Sequence, residues 1–197
     1  MKEDILEQVV DDYLQSKGYF TQHNVKFRPS KHHSDYEPRA DCVPSDIDVV
    51  GVNPLLRGTD RVWAVSCKSW QGGFRVGYIL TGLEQNLMRH GRETWQAYRE
   101  LMVSKWSEAF CDEILRLTGT REFTYVTAVT RLSGKKQDWE NYGPFRKALH
   151  GNPVRLVTLC EMVTEMLPGI TRTPSSSELG RTLQLLKAAG VLTPSKP

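Results

Sequence analysis

The chain has 197 residues, 39% hydrophobic and 25% charged, with a formal net charge of +3. That is enough for one substantial core, and the balance is that of a globular domain rather than a fibrous or low-complexity chain. No apolar run approaches the eighteen or more residues of a membrane span. The opening "MKEDILEQVV" carries acids where a secretory signal would be apolar, so neither membrane insertion nor secretion is expected.

Residues Asp4 to Lys17 predict a helix, with Ile5, Leu6, Val9, Val10, Tyr13 and Leu14 as one apolar stripe and Gly18 where a C-terminal cap belongs. "YFTQHNVKF" reads as a first strand. "RPSKHHSDYEPRADCVPS" has three prolines and little periodicity, and reads as a loop. Two alternating strands follow. "DIDVVGV" sets Asp46, Asp48 and Val50 against Ile47, Val49 and Gly51, and "RVWAVSCKSW" puts Val62, Ala64, Ser66 and Lys68 on one face. "NPLLRGTD" between them reads as a hairpin loop.

Val76 to Leu117 is helical in character, as two helices with Gly91 as the candidate break, and Trp95, Tyr98, Leu101 and Met102 are spaced like a core face. "EFTYVTAVT" is a strong strand, "KKQDWENYGPFRKAL" a mixed turn and helix, and "PVRLVTL" a short strand before a helix at Cys160 to Leu167. "TRTPSSS" is a linker, and Ser177 caps a terminal helix that stops at Gly190. This order predicts a mixed α/β sheet with helices on its faces. Cys42, Cys67, Cys111 and Cys160 are far apart and form neither a CxxC pair nor a disulfide framework, so a reducing cytoplasm is the expected compartment.

The chemistry sits where charge falls on apolar strands. If Asp48 and Lys68 face the same way on neighbouring strands, a carboxylate and an ammonium meet at one end of the sheet. At 100° per residue Glu7 lies beside Leu14, at the edge of the helical stripe, where it can reach the rim of the sheet. Two acids and an amine suit a divalent-metal phosphodiesterase: hard oxygen ligands suit Mg²⁺, and a lysine offsets charge on the phosphate. A structural ion pair is the alternative for Asp48 and Lys68, a turn cap for Asp46, and an exposed helix residue for Glu7.

These residues resemble the PD-(D/E)xK nucleases, which include restriction endonucleases and archaeal Holliday-junction resolvases. Asp48 before "VVG" is similar to the strand aspartate, and Lys68 in "VSCKSW" to the lysine. Glu7, with Leu14, Lys17, Gly18 and Tyr19, is similar to the helix motif of the resolvase-like branch. The resemblance covers roughly Asp4 to Gly73. It implies a restriction-endonuclease-like mixed central sheet flanked by helices over residues 1–170. Residues 171–197 are then a linker and a C-terminal helix packed on the same domain.

The resemblance also implies Mg²⁺, with Mn²⁺ as substitute, held by Glu7, Asp48 and the Cys67 carbonyl, with Lys68 as the catalytic cation. Ser66 departs from it, since the family places an acid there and a hydroxyl carries no charge; Asp46 is the candidate replacement. The implied activity is hydrolysis of DNA phosphodiester bonds in restriction, phage defence, repair or recombination, often by a homodimer.

Nucleic-acid contacts are expected from Arg28, Lys31 and Arg39 in the first loop, with a solvated loop as the alternative. Arg75 after "WQGGF" joins them, with a loop with buried aromatics as the alternative, and Gln85 does so by the resemblance, with a surface glutamine as the alternative. Ser66 keeps a second hypothesis open, a catalytically inactive nuclease-fold nucleic-acid-binding or scaffold protein. A third is a structural subunit whose segment Val76 to Leu117 forms a partner interface.

Overall fold

The structure, a computed structural model, describes residues 4–89, 91–171, 173, 175 and 177–192. Its centre is a five-stranded mixed sheet whose spatial order follows the chain: β1 (Phe20–Phe27), β2 (Ser45–Val52), β3 (Val62–Lys68), β4 (Thr124–Val129) and β5 (Val154–Thr158). The first three strands are antiparallel neighbours, while β3, β4 and β5 are parallel. All six residues of β4 are buried, as a parallel strand covered on both faces requires.

Helices α1 (Ile5–Ser16), α2 (Val76–Glu84), α3 (Arg99–Met102), α4 (Ser104–Thr118), α5 (Lys136–Glu140), α6 (Gly143–Ala148), α7 (Leu159–Met166) and α8 (Glu178–Ala188) divide between the two faces. On one face, α1, α7 and α8 bury Leu6, Leu14, Met162 and Leu183 against Trp63, Val65 and Val126. On the other, α2 to α6 bury Ile79, Leu101, Ile114, Trp139 and Phe145 against Val62, Ala64, Tyr125 and Leu156. Local signals start and stop these helices where the sequence places them. Gly18, at φ 84°, follows α1; Thr158 and Glu161 close a reciprocal capping box on α7; and the Ser177 hydroxyl accepts the Gly180 N–H at 2.9 Å. Arg172, Pro174 and Ser176 of the expected linker, and residues 193–197, lie outside the described residues. The four cysteines are free, and among the described residues no helix is long and apolar enough to cross a membrane.

Two expectations are corrected. The segment Val76 to Leu117 is not two helices broken at Gly91. After α2, Met88–Arg89 pairs antiparallel with Arg92–Glu93 in a small hairpin around Gly91 (φ 77°), and α3 and α4 follow. The core spacing of Tyr98 and Leu101 therefore reflects packing onto the sheet rather than helix continuity.

The second correction concerns β2. Ile47 and Val50 lie in the core under α2–α6, whereas Val49 lies in the core under α1, so simple alternation fails between them. The cause is in the neighbouring strand. Register is kept on both sides, with His23 opposite Val49 and Val25 opposite Ile47. Between them Asn24 takes φ 51°, a left-handed conformation that asparagine tolerates better than most residues. Each strand turns over there. His23 faces Asp11 of α1 at 3.1 Å, while Phe27 packs edge-on against Trp106 and Phe110 of α4. Asp48 stands at this turnover.

Candidate active site

The first turn of α1 is fastened to the end of β3. Asp4 caps the helix by accepting the Leu6 N–H at 2.9 Å, and its other carboxylate oxygen accepts the hydroxyl of Ser69, the residue after β3. Burial of the α1 stripe fixes the rotation of the helix. Glu7, in that first turn, is thereby held close to Asp48.

Asp48 sits where the ladder between β2 and β3 ends. The final backbone pair toward this end is Val49 with Val65. Beyond it the Asp48 side chain replaces the backbone: its Oδ2 accepts the Cys67 N–H at 2.6 Å. In an extended strand the N–H and C=O of one residue point the same way, so the Cys67 carbonyl opens onto the same gap. The Asp48 carboxyl is held above the usual carboxylate range chiefly by burial, opposed by the Cys67 N–H and by Lys68, with Asp46 and Glu100 pushing further upward. The Glu7 carboxyl is likewise raised, first by burial and then by the negative charges of Asp48 and Asp4. Two half-buried acids, with Asp48 raising Glu7, make a gap that favours a cation.

Lys68 leaves β3 on the other face, with its ammonium 5.4 Å from the centroid of the Tyr98 ring. Among the described residues it has no carboxylate within ion-pair distance. Ser66 shares that face but is only 8% exposed and sits beside the Tyr125 phenol. Tyr125 in turn donates to Glu100 Oε1 at 2.5 Å. Glu100, on α3 and 7% exposed, is the acid the sequence reading missed: it lies on the Ser66 side of the sheet and acts on Asp48 through space. No local pattern marks it, because thirty-four residues and several intervening elements separate it from Ser66 in the chain.

The donor set limits which cation fits. Among the described residues no group of three or more His, Cys, Asp or Glu is placed to hold a metal ion. Asp46, the candidate auxiliary ligand, is exposed and paired with Lys26 at 2.7 Å. What remains is Glu7, Asp48 and one backbone carbonyl, all hard oxygen donors. That set fits Mg²⁺ or Mn²⁺, and Mg²⁺ commonly takes one or two carboxylates and keeps several waters; it does not fit a closed protein cage.

The candidate nucleic-acid residues separate. Arg28, Lys31 and Arg39 are exposed on the loop between β1 and β2, which is tied to α4 by Asp41 and Lys105 at 2.8 Å. Arg75 stands at the start of α2, 5.0 Å from the Tyr78 ring centroid, while Gln85 is exposed at the opposite end of that helix.

No family model matches the chain, and no curated protein matches it. A solved structure described as the crystal structure of a protein of unknown function, AF1548, is similar at 14% sequence identity, with a TM-score of 0.40, over 95% of this chain and 79% of that one. A likeness at that level carries no argument. The functional reading therefore stands on the residues themselves.

Proposed function

We propose that the protein is a divalent-cation-dependent nuclease that hydrolyses phosphodiester bonds in DNA. The observation that carries this reading is the convergence at the end of β3. The Asp48 carboxylate is locked onto the Cys67 N–H, Glu7 repels it from α1, and Lys68, on the opposite face of the sheet, still draws the Asp48 carboxyl downward and has no carboxylate of its own among the described residues. A divalent cation bound there polarises the phosphate and lowers the pKa of a bound water. Glu7 and Asp48 supply negative oxygens to hold it. The Cys67 N–H fixes the Asp48 carboxylate in one orientation, so little reorganises on binding. The Lys68 ammonium faces the phosphate and offsets the charge that develops on its oxygens.

The test is nicking of supercoiled plasmid with Mg²⁺ or Mn²⁺, and its suppression by chelator. Lys68→Ala is expected to lower the rate by about 10²–10³-fold, the range for loss of one preorganised charge-stabilising group, with an unchanged melting temperature. If the wild-type protein cleaves neither DNA nor RNA with either cation, the reading is wrong.

Ser66 favours a second reading. Buried beside Tyr125, it supplies no third carboxylate, and Asp46 is engaged by Lys26. A nucleic-acid-binding protein on the same scaffold, without hydrolysis, would shift DNA in a salt-sensitive manner yet leave it intact.

A further inference from the structure

Next to Lys68 lies a cleft of about 740 Å³, within the ~300–1,000 Å³ range of small-molecule sites. Its wall is built from one continuous stretch of chain, residues 70–98, folded back on itself. The "WQGGFR" turn gives Trp70 and Arg75; α2 and the hairpin after it give Tyr78, Arg89 and Arg92; and Tyr98 forms the end nearest the candidate active site. Trp70 is 42% exposed and stacks on Phe74 at 5.9 Å, presenting a supported aromatic face. Tyr78 is 45% exposed, with the Arg89 guanidinium 3.2 Å from its ring centroid. Glu93, also in the wall, accepts from Trp95 Nε1 and Asn86 Nδ2, both at 3.0 Å, and its one negative charge is outnumbered by Arg75, Arg89 and Arg92.

A further observation points to a ligand. The Tyr98 hydroxyl and Arg89 Nε are buried polar atoms without a hydrogen-bond partner among the described residues, and both belong to residues lining this cleft. Tyr98 is 1% exposed. Most buried polar groups have a partner, so two unmatched ones on residues lining a single cleft call for an explanation, and a bound group supplies one. Supported aromatic faces, several guanidinium groups and unmatched donors together fit an aromatic base carrying phosphate. A paired base in a duplex hides its faces in the stack, whereas an unpaired base offers one to each aromatic ring.

We propose that this cleft holds an unpaired nucleotide of the strand that passes Lys68, so that the protein acts on single-stranded or branched rather than fully paired nucleic acid. The proposal rests on the nuclease reading for the position of the scissile phosphate. The contact between Lys68 and the Tyr98 ring couples the two sites: a nucleotide seated against Tyr98 places its neighbouring phosphate toward the ammonium.

The experiment is fluorescence anisotropy of a labelled single-stranded oligonucleotide and of its duplex, in chelator, so that binding is read independently of cleavage. The single strand is expected to bind at least about tenfold more tightly than the duplex. Trp70→Ala is expected to weaken it by about tenfold, as loss of a base-stacking platform does. Arg92→Gln, at an exposed position, is expected to lower the salt slope for the single strand by about 0.7. Duplex affinity should be unchanged in both variants. Equal or tighter duplex binding, or wild-type single-strand binding by both variants, overturns the proposal. So does displacement of the oligonucleotide by free dTMP at equal nucleotide concentration, which would make the cleft a mononucleotide site. Tight single-strand binding without hydrolysis would support the cleft and remove the nuclease reading instead.

Discussion

The two faces of the sheet meet the candidate site in different ways. From the α1 face come Glu7 and Asp4, carried by one helix whose cap, stripe and stop are all local. From the α2–α6 face come Lys68, Tyr98, Tyr125 and Glu100, contributed by three elements that meet only after the chain has crossed the sheet. The helix on the acid side is thus set by local signals, whereas the cation side is assembled from distant segments. The cleft opens on the cation side, where loops and short helices leave space that continuous helices would fill.

This contrast can be broken most sharply at Trp139. It packs edge-on against Phe74, Tyr98 and Phe145, and its Nε1 donates to Thr127 Oγ1 at 3.0 Å. Trp139→Ala is expected to cost about 3–5 kcal/mol, the range for large-to-small aromatic substitutions in a core. At ~2–4 °C per kcal/mol for a domain of this size, the melting temperature should fall by roughly 10 °C. A fall of only a degree or two would show that the α2–α6 face does not depend on this cluster.

On the acid side, Asp48→Asn keeps an acceptor for the Cys67 N–H and removes one buried charge. It is expected to weaken Mn²⁺ binding by at least about tenfold, or ~1.4 kcal/mol, by titration calorimetry. The same substitution should raise the melting temperature of the cation-free protein by a few degrees. The pH dependence has a definite sign. Glu7 and Asp48 are both raised in the folded state. Their contribution to cation-free stability is therefore fully present below the ordinary carboxylate range and lost as pH rises through the raised values. A bound cation needs both ionised, so the gain in melting temperature from Mn²⁺ over chelator should grow with pH through that window and stay flat in Asp48→Asn. Wild-type protein with a gain independent of pH would exclude these two acids as the ligands.

A smaller change is expected at Asp4. Asp4→Ala removes the helix cap and the tie to Ser69, for about 1 kcal/mol of stability by chemical denaturation. It should also weaken Mn²⁺ binding, because Glu7 is no longer held to the end of β3; unchanged binding would mean that α1 is positioned by its stripe alone. Smallest of all is Lys26→Ala. The pair with Asp46 is exposed, so its loss should change stability by less than about 1 kcal/mol. If Lys26→Ala instead strengthens Mn²⁺ binding, Asp46 is released to act as a third ligand.

Parts of both sides were legible in the sequence. The α1 stripe, its stop at Gly18 and the common face of Val62, Ala64, Ser66 and Lys68 follow from periods of 3.6 and 2. The alternation of β2 misled, because one left-handed residue in a neighbouring strand, Asn24, turns both strands over. The hairpin at 88–93 was hidden by apolar spacing that looked helical. Glu100 carried no signal and Tyr98 only that of a core residue, since their neighbours at the site are far away in sequence.

Outside residues 76–117, the sequence by itself determined which segments become helix and strand and which strand residues carry charge, because those choices depend on neighbours within a few positions. Only the tertiary structure decided that Asp48 would bond to the Cys67 N–H and that Glu100 would stand behind Ser66. Such contacts form when distant segments pack onto the two faces of one sheet, and nothing local encodes which of them will meet.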